Sequence, residues 1–135
     1  MPDSPSELKL ERADGFASLY ANNIRFEPSV WDLKFIFGEI DQSKGEFVEQ
    51  HTAITVPWAQ AKVMAYFLAV NTILHQFQTG SIIQTPDSIK PPRPDPSDPA
   101  VAAEAKPIFE YLAWIHEQFF GPHPYTPPSV DSPKL

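Results

Sequence analysis

The sequence predicts an α+β fold: a three-stranded antiparallel meander followed by a long helix, then a proline-rich linker and a second helix. Three observations carry that expectation. Trp31, Leu33, Phe35 and Phe37 alternate with Asp32, Lys34 and Ile36, the period of a strand with one buried face. Beyond Pro57, the residues Val63, Phe67, Val70, Leu74 and Phe77 recur at spacings of four and three, the period of an amphipathic helix. Six prolines then fall within residues 85–99, where neither a helix interior nor a central strand can form.

The elements follow in order. Residues 1–14 are polar and punctuated by proline, and read as a flexible arm with a short strand near Leu8–Leu10. Phe16, Tyr20, Ile24 and Phe26 share one parity and predict the first strand, which Pro28-Ser29 breaks. The Trp31–Phe37 run is the second strand. Asp41 to Glu46 is polar, carries Gly45 and suits a hairpin turn. Phe47 to Val56 is the third strand, with Val48, Ile54 and Val56 on one face and Glu49, His51 and Thr55 on the other. Neighbouring strands with short connections pair as an antiparallel meander.

Pro57 then opens the long helix, because a proline in the first turn lacks only an N–H that would have had no intrahelical partner. Met64 and Leu68 widen its apolar stripe, Tyr66, Ala69 and Ile73 add apolar surface beside it, and Gly80 ends it. The strand-strand-strand-helix core thus spans 15–83. Residues 84–98, including Pro91-Pro92-Arg93-Pro94, form an extended linker. Asp98-Pro99 is a helix start, so a second helix is expected over 99–121, kinked or split at Pro107 and stopped by Gly121-Pro122. Ile108, Leu112, Ile115 and Phe119 form its stripe. Residues 122–135 are a proline-rich tail.

Composition narrows the function. Ten Lys and Arg stand against 17 Asp and Glu, a formal charge of −7 that repels phosphate backbones and anionic lipid. Neither nucleic acid nor a membrane is therefore an expected partner. With no cysteine, disulfides, thiolate metal sites and cysteine nucleophiles are excluded together. The N-terminal residues carry no apolar signal core, and Ala61–Leu74 is too short to span a bilayer, so a cytoplasmic protein is expected.

Chemistry-bearing constellations do not emerge. His51, His75, His116 and His123 have no ligand partner at helical i, i+4 spacing, and His116 and Glu117 point about 100° apart on a helix. No Gly-x-Ser-x-Gly turn or glycine-rich phosphate cradle exists. The expectation is accordingly no catalytic, cofactor or metal site. The rival is a small enzyme with a site assembled from His51, Tyr20 and Asp32. Asn71 and His75, one turn apart on the long helix, are read as exposed, and Trp31, Trp58 and Trp114 as core or interface packing.

The order of several short motifs resembles one family. Tyr20-Ala21-Asn22 opens a strand, Asp32 to Gly38 follows as an apolar strand ending in glycine, and Pro57-Trp58-Ala59-Gln60-Ala61-Lys62 starts a helix that closes on Phe77-Gln78-Thr79-Gly80. This is similar to the small prokaryotic proteins of domain of unknown function 3467. The likeness covers roughly 20–82. Val56 stands where that pattern has Ser or Thr, Gly80 is displaced from Phe77, and the second helix lies outside it. The resemblance implies a strand-strand-strand-helix unit that is oligomeric, and it implies no activity. Ile24-Arg25-Phe26-Glu27-Pro28 is, more faintly, similar to the first strand of the bacterial export chaperone for unfolded preproteins.

The long helix has a wider apolar arc than one face of a three-stranded sheet requires. Either the second helix or a second subunit covers the remainder. The sequence therefore points to a non-enzymatic homodimer or higher homo-oligomer that binds a protein or peptide. Its interface would be Val63, Phe67, Val70, Leu74 and Phe77 on the first helix and Ile108, Leu112, Ile115 and Phe119 on the second. A chaperone-like peptide binder is the alternative.

Overall fold

The computed structural model describes residues 7–41, 43 and 46–122. Strands β1 (Asn23–Pro28), β2 (Asp32–Asp41) and β3 (Phe47–Pro57) form one antiparallel sheet in the order β1-β2-β3. Helix α1 (Trp58–Thr79) follows, and helix α2 (Lys106–Phe120) comes after a 3-10 turn at Ala103–Ala105. The α+β meander, the long helix and the later helix are as the periodicities require. The chain divides into two compact units, Met1–Met64 and Ala65–Leu135, with the division inside α1.

In the first unit, β1 and β2 pair from Asn23↔Gly38 to Pro28↔Leu33. Ser29 makes the turn: its hydroxyl donates to the Asp32 carboxylate at 2.8 Å and accepts from the amides of Trp31 and Asp32. The strand predicted from Phe16 begins only at Asn23, and Leu8–Leu10 are not a strand. An alternating pattern alone cannot reveal whether a partner strand lies alongside, and β2 ends its ladder with β1 at Gly38.

One sheet face carries Ile24, Phe26, Leu33, Phe35, Phe37, Ile54 and Val56 by register. Phe35 is buried, with Phe26 edge-on at 5.2 Å and Phe37 stacked at 6.2 Å. Arg25, Glu27, Lys34, Ile36, Ala53 and Thr55 lie on the other face, where Lys34 approaches Glu27 at 3.6 Å. Both ends of that ion pair are largely exposed, so it contributes about 0–1 kcal/mol.

The ladder slips once. Phe37 pairs with Thr52 but Gly38 with Gln50, leaving His51 as the extra residue of a β-bulge. This corrects the predicted faces of β3. Val48 pairs with Ile40 on the polar face, opposite Ile54 and Val56, and Glu49 moves to their side. A single inserted residue inverts the alternation on one side of it.

In the helices, α1 starts one residue after Pro57, which instead closes the β2–β3 ladder against Asp32. Gly80 ends α1 at φ +69°, a left-handed conformation that glycine adopts without a Cβ penalty, and its N–H donates to Gln76 at 3.0 Å. Residues 84–98 contain neither helix nor strand. The helix expected from Pro99 starts at Lys106, and Asp98 caps a local turn by accepting from the Ala100 amide at 2.9 Å. Pro107 lies in the first turn of α2 and does not kink it, because there its missing N–H breaks no helical bond. Gly121, in extended conformation, follows the helix at the predicted stop. The predicted tail, apart from Pro122, and most of the 42–45 turn lie outside the described residues.

Candidate interaction surface

The residues predicted to form an interface are mostly open to solvent. On α1, Val63, Phe67 and Leu74 are about half exposed, Phe77 is 80% exposed, and Val70 is half-buried. The residues that do become covered are Ala61, which is buried, and Met64, Ala69, Thr72, Ile73 and Gln76, which are half-buried. At 100° per residue these cluster on the side of the helix opposite the predicted stripe. Large apolar side chains marked the stripe, whereas the more covered residues mix small ones (Ala61, Ala69, Thr72) with Met64, Ile73 and Gln76.

On α2 the same shift recurs. Phe109, Ala113, His116 and Phe120 form the covered stripe, one residue and about 100° round from the predicted Ile108, Leu112, Ile115 and Phe119. Ala113 is the most deeply buried of them, at 3% exposure. His116 was invisible as a packing residue because it is polar. Its Nε2 lies 2.8 Å from the Pro91 carbonyl, an acceptor that makes this nitrogen the protonated one, and its ring packs against Phe120 at 5.0 Å. Ile108, Leu112 and Phe119 stay exposed and Ile115 is half-buried.

Asn71 and His75 are both exposed, as read, and the Asn71 amide donates to the Phe67 carbonyl at 2.8 Å. None of the three tryptophans is buried. Trp58 is held at its polar end, its indole N–H donating to Ser29 O at 2.8 Å, and Trp114 lies beside Tyr111 at 5.7 Å.

The polar constellation at the bulge has a structural explanation. His51 Nδ1 lies 2.7 Å from Thr52 Oγ1 and its Nε2 lies 2.9 Å from the Tyr20 carbonyl. Asn22 donates its N–H to Gly38 O at 3.1 Å and accepts from the Ile40 amide at 2.8 Å. The segment entering β1 is thus tied to both other strands. Tyr20 takes part through its backbone, and Asp32 sits at the far end of β2, five residues or roughly 17 Å from Phe37. His51, Tyr20 and Asp32 are not brought together as an acid-base group.

Elsewhere, a cleft of about 270 Å³ lies within the second unit, lined by Ile82, Ile83, Lys90, Phe119 and Phe120 among others. Among the described residues of that lining, Lys90 is the one ionisable side chain. Among the described residues no group of three His, Asp or Glu converges as metal ligands, and no helix is long and apolar enough to cross a membrane. No family model matches the chain, and neither the curated proteins nor the solved structures contain a match to it.

Proposed function

We propose that the chain is a non-enzymatic protein-interaction domain that works as a homo-oligomer, with a second copy covering the Val63–Phe77 stripe of α1. One observation carries the reading: the α1 stripe of Val63, Phe67, Val70, Leu74 and Phe77 is apolar and mostly exposed. A contiguous exposed apolar surface marks an interaction site. The stripe residues are about half exposed, so covering each recovers about 1 kcal/mol, half the value of a fully buried side chain. In a symmetric pair, ten such residues give about 10 kcal/mol, within the cost of about 4–15 kcal/mol for bringing two molecules together. The α2 stripe of Ile108, Leu112, Ile115 and Phe119 is the apolar surface that supplies a surplus. Membership of domain of unknown function 3467 is part of the same proposal and rests on the Tyr20–Asn22, Asp32–Gly38 and Pro57–Lys62 motifs.

Light scattering on a sizing column at micromolar concentration tests it. The expected mass is a multiple of 15.2 kDa, and Phe67→Asp should lower it with unchanged circular dichroism. A wild-type chain of 15.2 kDa overturns the proposal.

A second reading, peptide binding in the manner of a chaperone, is favoured by the sheet. Ile24, Phe26 and Ile54 line one of its faces and remain about half exposed around the buried Phe35. It expects suppression of the aggregation of an unfolded client. No suppression at stoichiometric excess removes it.

A further inference from the structure

We propose that the open edge of β3 pairs antiparallel with β3 of a second copy, around a two-fold axis at Ile54, joining two three-stranded sheets into one of six strands. Among the described residues β3 is an outer strand of the sheet and has β2 on one side only. Ser29 donates to Asp32 O, and Asn22 to Gly38 O, so the even-numbered residues of β2 turn their backbone groups toward β1. Alternation then turns Leu33, Phe35 and Phe37 toward β3, bonding them to Val56, Ile54 and Thr52. The N–H and C=O groups of Ala53 and Thr55 point the other way, out of the sheet edge. Unpaired edge groups of this kind are a template for another strand.

What lies along that edge selects a second copy as the occupant. Residues 51–56 carry no Asp, Glu, Lys or Arg and no proline, and they are rich in β-branched side chains. The opposite outer strand, β1, is blunted by Arg25, Glu27 and Pro28. Centred on Ile54, the antiparallel register sets Ala53 opposite Thr55 and Thr55 opposite Ala53, making four N–H···O bonds with no like charges opposed. It also keeps the two Glu49 residues apart, which a parallel in-register pairing would stack. The His51 bulge limits the pairing at one end and Pro57, which has no N–H, at the other. The apolar face that includes Phe26, Phe35 and Ile54 then runs continuously across the joint.

The proposal concerns a different surface from the helical stripes and deepens the self-association reading, on which it rests. The chain has no cysteine, so a single introduced one reports cleanly. In the proposed register the two Ile54 residues form a non-hydrogen-bonded pair, about 4.5 Å between Cα atoms, which a disulfide can bridge. Ile54→Cys under mild oxidation should become a covalent dimer at least ten-fold faster than Leu10→Cys, as read on non-reducing gels. A53K/T55K should abolish that linkage when combined with I54C, whereas A53K/T55E, which sets Lys opposite Glu, should retain it. Ile54→Cys linking no faster than Leu10→Cys overturns the edge pairing, whether the site is empty or taken by another protein. An oligomeric wild type that fails to link through position 54 leaves the helical interface standing. A wild type that runs at 15.2 kDa overturns the self-association reading and the edge pairing with it.

Discussion

Gly38 shows how much one missing side chain determines. A Cβ built there would come within 2.7 Å of the Glu49 carbonyl oxygen and 3.0 Å of Val48 Cγ1. The first contact is backbone and cannot swing aside. Gly38→Ala is therefore expected to cost about 1–3 kcal/mol, read as a lower urea midpoint, while Gly15→Ala, with nothing within 4 Å, stays within about 0.5 kcal/mol. Asp95 makes a second, independent prediction. The Ser97 hydroxyl, at 2.6 Å, and the Ser97 amide, at 2.9 Å, both donate to its carboxylate and hold its pKa below the ordinary 3.8. A depressed carboxylate pKa stabilises the turn above the ordinary value, and this is lost as pH falls through the lowered one. Ser97→Ala should raise the Asp95 pKa toward 3.8 in a carboxyl NMR titration. An unmoved pKa would show that the hydroxyl is not its cause.

At the level of elements, the lesson is positional. Pro57 and Pro107 both stand where a helix begins, one just before α1 and the other inside the first turn of α2. Because the first helical N–H groups have no intrahelical acceptor, neither proline disturbs its helix. Pro107→Ala should accordingly change thermal stability by less than about 0.5 kcal/mol and leave the helical circular dichroism unchanged. A gain of a kilocalorie or more would mean that Pro107 strains α2 after all. Strand and helix periodicities were legible because each records which residues share a face. Their boundaries were less so. β1 loses the Phe16–Asn22 half of its predicted length, and four residues vanish from the start of the predicted second helix before the 3-10 turn. In both places local pattern and local caps were present, but the hydrogen-bonded partner that makes an element was not.

For the molecule as a whole, large apolar side chains mark the candidate surface, and the structure shows how exposed each of them is. Val63, Phe67, Leu74, Phe77, Ile108, Leu112 and Phe119 are apolar and open, as an interface between chains requires. The more covered residues include small and polar ones, Ala61, Thr72 and Gln76 on α1 and Ala113 and His116 on α2, beside Met64, Ile73, Phe109 and Phe120. A histidine is covered when a carbonyl such as that of Pro91 satisfies it. That condition cannot be seen in a one-dimensional pattern.

By itself, then, the amino-acid order determined the α+β class, the meander and the two helices, because hydrophobic period and proline placement act locally. It also determined the absence of thiol chemistry and the acidic charge. Tertiary structure alone decided which side of each helix is covered, where the third strand slips and which sheet edge stays open. Those outcomes depend on contacts between residues far apart in the chain: His51 reaching Tyr20, Gly38 admitting the Glu49 backbone, His116 meeting Pro91. A residue's own chemistry fixes what it can bond to, and only the folded chain fixes what it meets.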